Sequence, residues 1–104
     1  MIGAMKKTFL LTIEGKNRDR VLEATKHEIR KYMKRERAKA LPGGADFWDF
    51  DCQFGLAKEA ASAIHVANIT AAINEVAMSG ADAFYLEILA RPASRQSQQK
   101  SPAN

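Results

Sequence analysis

The chain has 104 residues, 46% of them hydrophobic and 27% charged, with a formal net charge of +4. That length holds one compact domain and supplies a core without staples. Its apolar runs are too short for a membrane span or a signal peptide, and a single cysteine, Cys52, excludes an internal disulfide framework and a Cys-cluster zinc site. A reducing cytoplasm is the compartment these features suit.

The domain is expected over residues 5–91, with residues 1–4 a disordered extension and residues 92–104 a disordered tail. Lys7–Ile13 alternates, with Phe9, Leu11 and Ile13 on one side and Thr8, Leu10 and Thr12 on the other, which predicts a strand. Asn17 is a good N-cap, and Asp19 suits the first turn of a helix running to about Ala40. Val21, Thr25, Ile29 and Tyr32/Met33 recur at helical spacing and form its core stripe. Pro42-Gly43-Gly44 ends it.

Asp46–Phe54 alternates most cleanly. Trp48, Phe50, Cys52 and Phe54 face a core, and Phe47, Asp49, Asp51 and Gln53 face outward. Ala63–Ala67 reads as a short strand returning antiparallel to it, although the alanine-rich stretch before it also suits a helix. Asn68 then caps a second helix carrying Ile69, Ala72, Ile73 and Val76, and Gly80 stands at its C-terminal end. Ala83–Ala90 is the last strand. The tail after Arg91 has no large apolar residue to offset its ordering entropy.

The order β-α-β-β-α-β predicts an α+β, two-layer fold: an antiparallel sheet with two helices on one face, the ferredoxin-like split βαβ pattern. One long helix over residues 57–79 would leave a three-stranded β-α-β-α-β alternative. The expected core is Phe9, Leu11, Ile13, Val21, Ile29, Trp48, Phe50, Phe54, Ile64, Val66, Ile69, Ile73, Val76, Phe84, Leu86 and Ile88.

Several of these segments resemble a known family. They are Lys34-Arg35-Glu36-Arg37, Leu41-Pro42, Asp46 through Cys52 with Phe54-Gly55, and Ile64-His65-Val66-Ala67. The flanking Met5-Lys6-Lys7-Thr8-Phe9 and Phe84-Tyr85-Leu86-Glu87-Ile88-Leu89 complete a match over about residues 5–91. The chain is thereby similar to a family of small uncharacterised bacterial proteins. The resemblance implies a cytoplasmic α+β domain of unknown function and brings no catalytic residue or cofactor.

Charge is strongly segregated. Residues 1–40 carry 12 basic and 5 acidic side chains, whereas residues 41–90 carry one basic and 7 acidic. Either the halves neutralise each other in the fold, or a basic face stays free for an anionic partner, or copies of the chain associate through complementary charge. The cations concentrate at Lys26, Arg30, Lys31, Lys34, Arg35 and Arg37 on the first helix. Lys26, Arg30, Lys34 and Arg37 share one helical face and could track phosphates, including those of nucleic acid. A solvated face favoured by the helix dipole is the plain alternative.

A second constellation is Asp49 and Asp51, two apart on one strand, with His65 and Glu87 expected on the same sheet face. It could bind a divalent metal or do acid–base work in a small metal-assisted enzyme, or simply pair with nearby cations. No HExxH, Ca2+-loop, Walker, Rossmann or GxSxG pattern supports catalysis, and the residues call for no cofactor. Cys52, between inward aromatics, reads as inert packing, and His27 as a surface residue. The exposed sheet face, with Leu10, Phe47, Tyr85 and Leu89, offers a surface for a homo-oligomer. The reading that leads is a non-catalytic binding module with a basic helix.

Overall fold

A computed structural model describes residues 4–94. Strand β1 spans Ala4–Leu10, helix α1 Arg18–Arg37, β2 Phe47–Gly55, β3 Ser62–Ile64, helix α2 Ile69–Met78 and β4 Ala83–Ala93. Two short 3-10 turns, Lys58–Ala60 and Val66–Asn68, flank β3. β1 takes in Ala4, and β4 runs through Pro92 and Ala93, so strand structure extends beyond both expected domain limits. The rest of the expected extension and most of the tail lie outside the described residues.

The four strands form one antiparallel sheet in the order β1-β4-β2-β3. The three-stranded alternative is therefore excluded. The ferredoxin-like expectation needs correcting as well, because that arrangement centres the first and third strands, whereas here β4 and β2 are central. The reason lies in the side chains. β4 carries large residues on both faces, which suits an interior strand. β1 carries Lys6 and Lys7, and the return strand is only three residues long, features that suit sheet edges. Among the described residues β1 pairs with β4 only as far as Leu89, and Pro92 stands beyond that ladder, beside β2 alone.

Period-two alternation sorts the sheet into two faces. Phe84, Leu86, Ile88 and Ala90 lie opposite Phe9 on β1 and Phe54, Cys52 and Phe50 on β2. These residues join Ile29 and Tyr32 of α1 and Ile69 and Ile73 of α2 in one buried core. Phe84 stacks on both Phe9 and Phe54, each with ring centroids 5.2 Å away. Trp48, Phe54, Ile64, Val66 and Val76 pack against this core but are only partly buried. Ile13, expected inside, is 36% exposed, because β1 ends at Leu10 and the chain turns away before Ile13 can continue the alternation.

The helix ends follow their local chemistry. The Asn17 side chain accepts from the Arg20 N–H at 3.2 Å, as expected of an N-cap. α1 stops at Arg37, before Pro42-Gly43-Gly44, and the Trp48 indole N–H donates to the Lys39 carbonyl at 2.9 Å just beyond it. α2 ends in a Schellman motif: Gly80, at φ +85°, donates to the Ala77 carbonyl, and Ala81 to that of Val76. Asn68 makes no side-chain cap. Instead the His65 Nδ1 accepts from the Ala67 N–H at 3.1 Å, starting the 3-10 turn that leads into α2.

Gly55 fills a tight crossing. A Cβ there would lie 2.8 Å from the backbone of Ala60 and Ala61, so the segment after β2 folds back over the sheet face opposite the helices. Tyr85, the cross-strand partner of Gly55, is consequently only 5% exposed. Gly55→Ala is expected to lower stability by about 1–3 kcal/mol, because backbone cannot yield as a side chain would. A urea midpoint equal to that of the parent protein would contradict this close approach.

Candidate functional site

α1 presents its cations unequally. His27, Arg30, Lys31 and Lys34 are exposed and stand at i, i+3, i+4 and i+7, one face of the helix pointing away from the sheet. Among the described residues no acidic side chain pairs with Arg30, Lys31 or Lys34. Lys26 departs from this face. Its side chain is 12% exposed and its ammonium lies 3.5 Å from Glu23. Arg35 and Arg37 are exposed at the flanks, with guanidinium groups 5.6 Å from the Tyr32 ring centroid and 5.2 Å from that of Phe50. The stripe expected from Lys26 to Arg37 therefore narrows to Arg30, Lys31 and Lys34, with Arg35 and Arg37 beside it.

Glu23, exposed on the same side of α1, pairs with Lys26, and two further acids of the helix are turned elsewhere. Glu28 pairs with Lys7 of β1 at 2.7 Å. Glu36 is buried beneath the helix and pairs with Lys39 at 2.9 Å. In the acidic half, Asp49 and Asp51 are both held by Arg91, at 3.1 and 2.8 Å. Through these pairs neither half of the sequence neutralises the other. Sequence reasoning missed the burial of Glu36 because it lies between Arg35 and Arg37, in a run that reads as wholly solvated; its spacing from Tyr32, i and i+4, was the available signal.

The second constellation does assemble. Asp49, Asp51, Gln53, His65, Glu87, Leu89 and Arg91 line one shallow depression of about 360 Å3 on the sheet face away from the helices. Its chemistry differs from the expectation. Arg91, cross-strand partner of Asp49, satisfies both aspartates, and Tyr85 donates to the Glu87 carboxylate at 2.8 Å. His65 already uses Nδ1 on the Ala67 N–H. Among the described residues no group of three or more His, Cys, Asp or Glu side chains could hold a metal ion. The carboxylates are partners of an arginine, the plain reading of this set. The apolar surface expected here is also smaller, because Tyr85 is buried while Leu10 and Leu89 stay exposed.

Cys52 is buried in the core. Burial, with a smaller push from Asp51 and Asp49, raises its thiol from 9.0 to about 11. Burial and then Glu36 likewise raise the Tyr32 hydroxyl, which is buried without a hydrogen-bond partner among the described residues. A thiol with a raised folded pKa ionises first in the unfolded chain. Its contribution is complete below pH 9 and is lost as pH rises to about 11. Urea midpoints are expected to fall across that window, and to fall less in Cys52→Ala. An equal alkaline loss in both proteins would show that the thiol has no part in it.

No helix among the described residues is long and apolar enough to cross a membrane. No curated protein and no solved structure matches the chain. A family of unknown function, DUF6172, matches residues 5–99, slightly beyond the 5–91 span of the resemblance seen in the sequence. With nearly its whole length inside that match, the chain belongs to the DUF6172 family.

Proposed function

We propose that this domain is a non-catalytic cytoplasmic binding module whose α1 outer face contacts the phosphate backbone of a nucleic acid. The observation that carries the reading is the row Arg30, Lys31 and Lys34, exposed and without acidic partners among the described residues, on a helix whose Glu28 turns to Lys7 of β1, whose Glu36 is buried and whose Glu23 pairs with Lys26. Such a row supplies point charges at helical spacing and no base-reading groups, so binding would be indifferent to sequence and steeply salt-dependent. Arg35 and Arg37 flank the row, held over aromatic rings.

The test is a titration of fluorescent single- and double-stranded nucleic acid at low and physiological salt, repeated with Arg30, Lys31 and Lys34 changed to alanine. Each lost contact is expected to reduce the slope of log K against log salt by about 0.9 on duplex and about 0.7 on a single strand. All three residues are exposed, so the variants should unfold within about 0.5 kcal/mol of the parent. Absence of binding at low salt, or a slope the substitutions leave unchanged, would overturn the reading.

A further inference from the structure

We propose that the free edge of β1 is a docking site for an extended acidic peptide, which adds to the sheet as a fifth strand beside β4-paired β1. β1 is an outer strand of the sheet, with β4 on one side only. The phase of its hydrogen bonding follows from Leu11, whose N–H donates to the Asp82 carbonyl at 2.6 Å, one step past the Leu10↔Ala83 pair. Antiparallel ladders alternate, so the odd-numbered residues bond to β4. Lys6, Thr8 and Leu10 turn their backbone N–H and C=O groups to the open side, an unpaired template for another strand.

A cleft of about 750 Å3 runs along this edge, between Lys7–Leu10 of β1 and the first turns of α1. Its volume falls within the range of about 300–1,000 Å3 typical of ligand clefts. Val21, Ala24 and Thr25 form its helix side, and Ile13 closes one end. An added strand would set alternate side chains toward these small and apolar residues and the others toward the Lys6, Thr8 and Leu10 side of the sheet.

Charge chooses the occupant. The cleft is lined by Lys7, Lys16 and Arg20, and its one acid, Glu28, is already paired with Lys7. Lys6 adds a further cation on the same strand. A second copy of β1 pairing across a two-fold axis centred on Lys6 or Lys7 would bring that lysine against its own equivalent, and like charges facing each other across a ladder are destabilising. An acidic segment meets the same lysines as opposite charges. The surface is separate from the outer face of α1, so it stands or falls independently of the nucleic-acid reading.

The probe is a fluorescent, end-blocked peptide of about six residues, the usual strand length, alternating valine and glutamate; the control alternates valine and lysine. Anisotropy reports binding, and amide exchange by NMR reports its place. The acidic peptide is expected to bind and to slow exchange at the Lys6, Thr8 and Leu10 amides, while the lysine peptide does neither. The double variant Lys16→Glu, Arg20→Glu should weaken the acidic peptide by about ten-fold and favour the lysine peptide. Both residues are exposed, and an acid in the first turn of α1 suits its dipole, so this variant keeps its fold. Three outcomes would overturn the proposal: no binding of the acidic peptide; binding that leaves the β1 amides unchanged and shifts residues 27–34 instead; or protection of the β1 edge by raised protein concentration alone.

Discussion

Phe84→Ala is expected to destabilise the domain by about 3–5 kcal/mol, enough to leave a protein of ordinary stability largely unfolded at moderate urea. Phe84 is fully buried on β4 and lies at the centre of the core. Its ring stacks on Phe9 of β1 and on Phe54 of β2, so truncation removes both aromatic contacts at once. The void would open between the two strands that β4 joins, where the backbone ladder prevents collapse. Phe84→Leu should recover a good part of the loss by refilling the volume. The measurement is urea unfolding, with the slope checked for constancy so that the shift in midpoint reads as stability. A loss under about 1 kcal/mol for Phe84→Ala would mean the site relaxes in a way this packing does not allow.

Arg18→Ala is expected to cost about 2–3 kcal/mol, a large effect for a residue at the start of a helix. Its guanidinium donates to the Ala77 carbonyl at 3.0 Å, the Ala81 carbonyl at 2.7 Å and the Thr12 hydroxyl at 2.9 Å. Thr12 in turn donates to the Asp82 carboxylate at 2.7 Å. One side chain thus ties the start of α1 to the end of α2 and to the segment leading into β4. It also sets a positive charge at the C-terminus of α2, where the helix dipole favours it. Removing it takes the guanidinium donor from two partly buried carbonyls, of which that of Ala77 keeps the Gly80 N–H. Arg18→Lys should restore little, because a single ammonium cannot reproduce the fork that reaches three acceptors. Thermal or urea unfolding of the two variants separates charge from geometry, and full rescue by lysine would show that charge alone matters.

Much of the local structure was legible because local periodicity carries it. Trp48 through Phe54 alternates strictly enough that the inward Phe50 and Cys52 and the outward Asp49 and Asp51 could be told apart from spacing alone. The same holds for Val21, Thr25 and Ile29 on α1, for the Asn17 cap and for Gly80 after α2, each a one-turn effect of backbone geometry. The basic helix was equally visible. What spacing could not tell was which of its charges are free, since that depends on where Glu23, Glu28 and Glu36 find partners.

The amino-acid sequence by itself determined the two helices, the three longer strands and the segregation of charge, because each follows from interactions within a few residues of the same chain. The return strand expected at Ala63–Ala67 is shorter, Ser62–Ile64, with a 3-10 turn where Val66 and Ala67 were expected to continue it. Only the tertiary structure decided the rest. Strand order depends on how β4, with large residues on both faces, competes for the interior position, which no local pattern specifies. The burial of Tyr85 on the nominally open face depends on the chain crossing back over Gly55. Arg91 reaches both Asp49 and Asp51 only because β4 lies beside β2, 40 residues and more away in sequence. That juxtaposition turned the acidic pair into an ion-paired patch, while Arg30, Lys31 and Lys34 on the outer face of α1 have no acidic partner among the described residues.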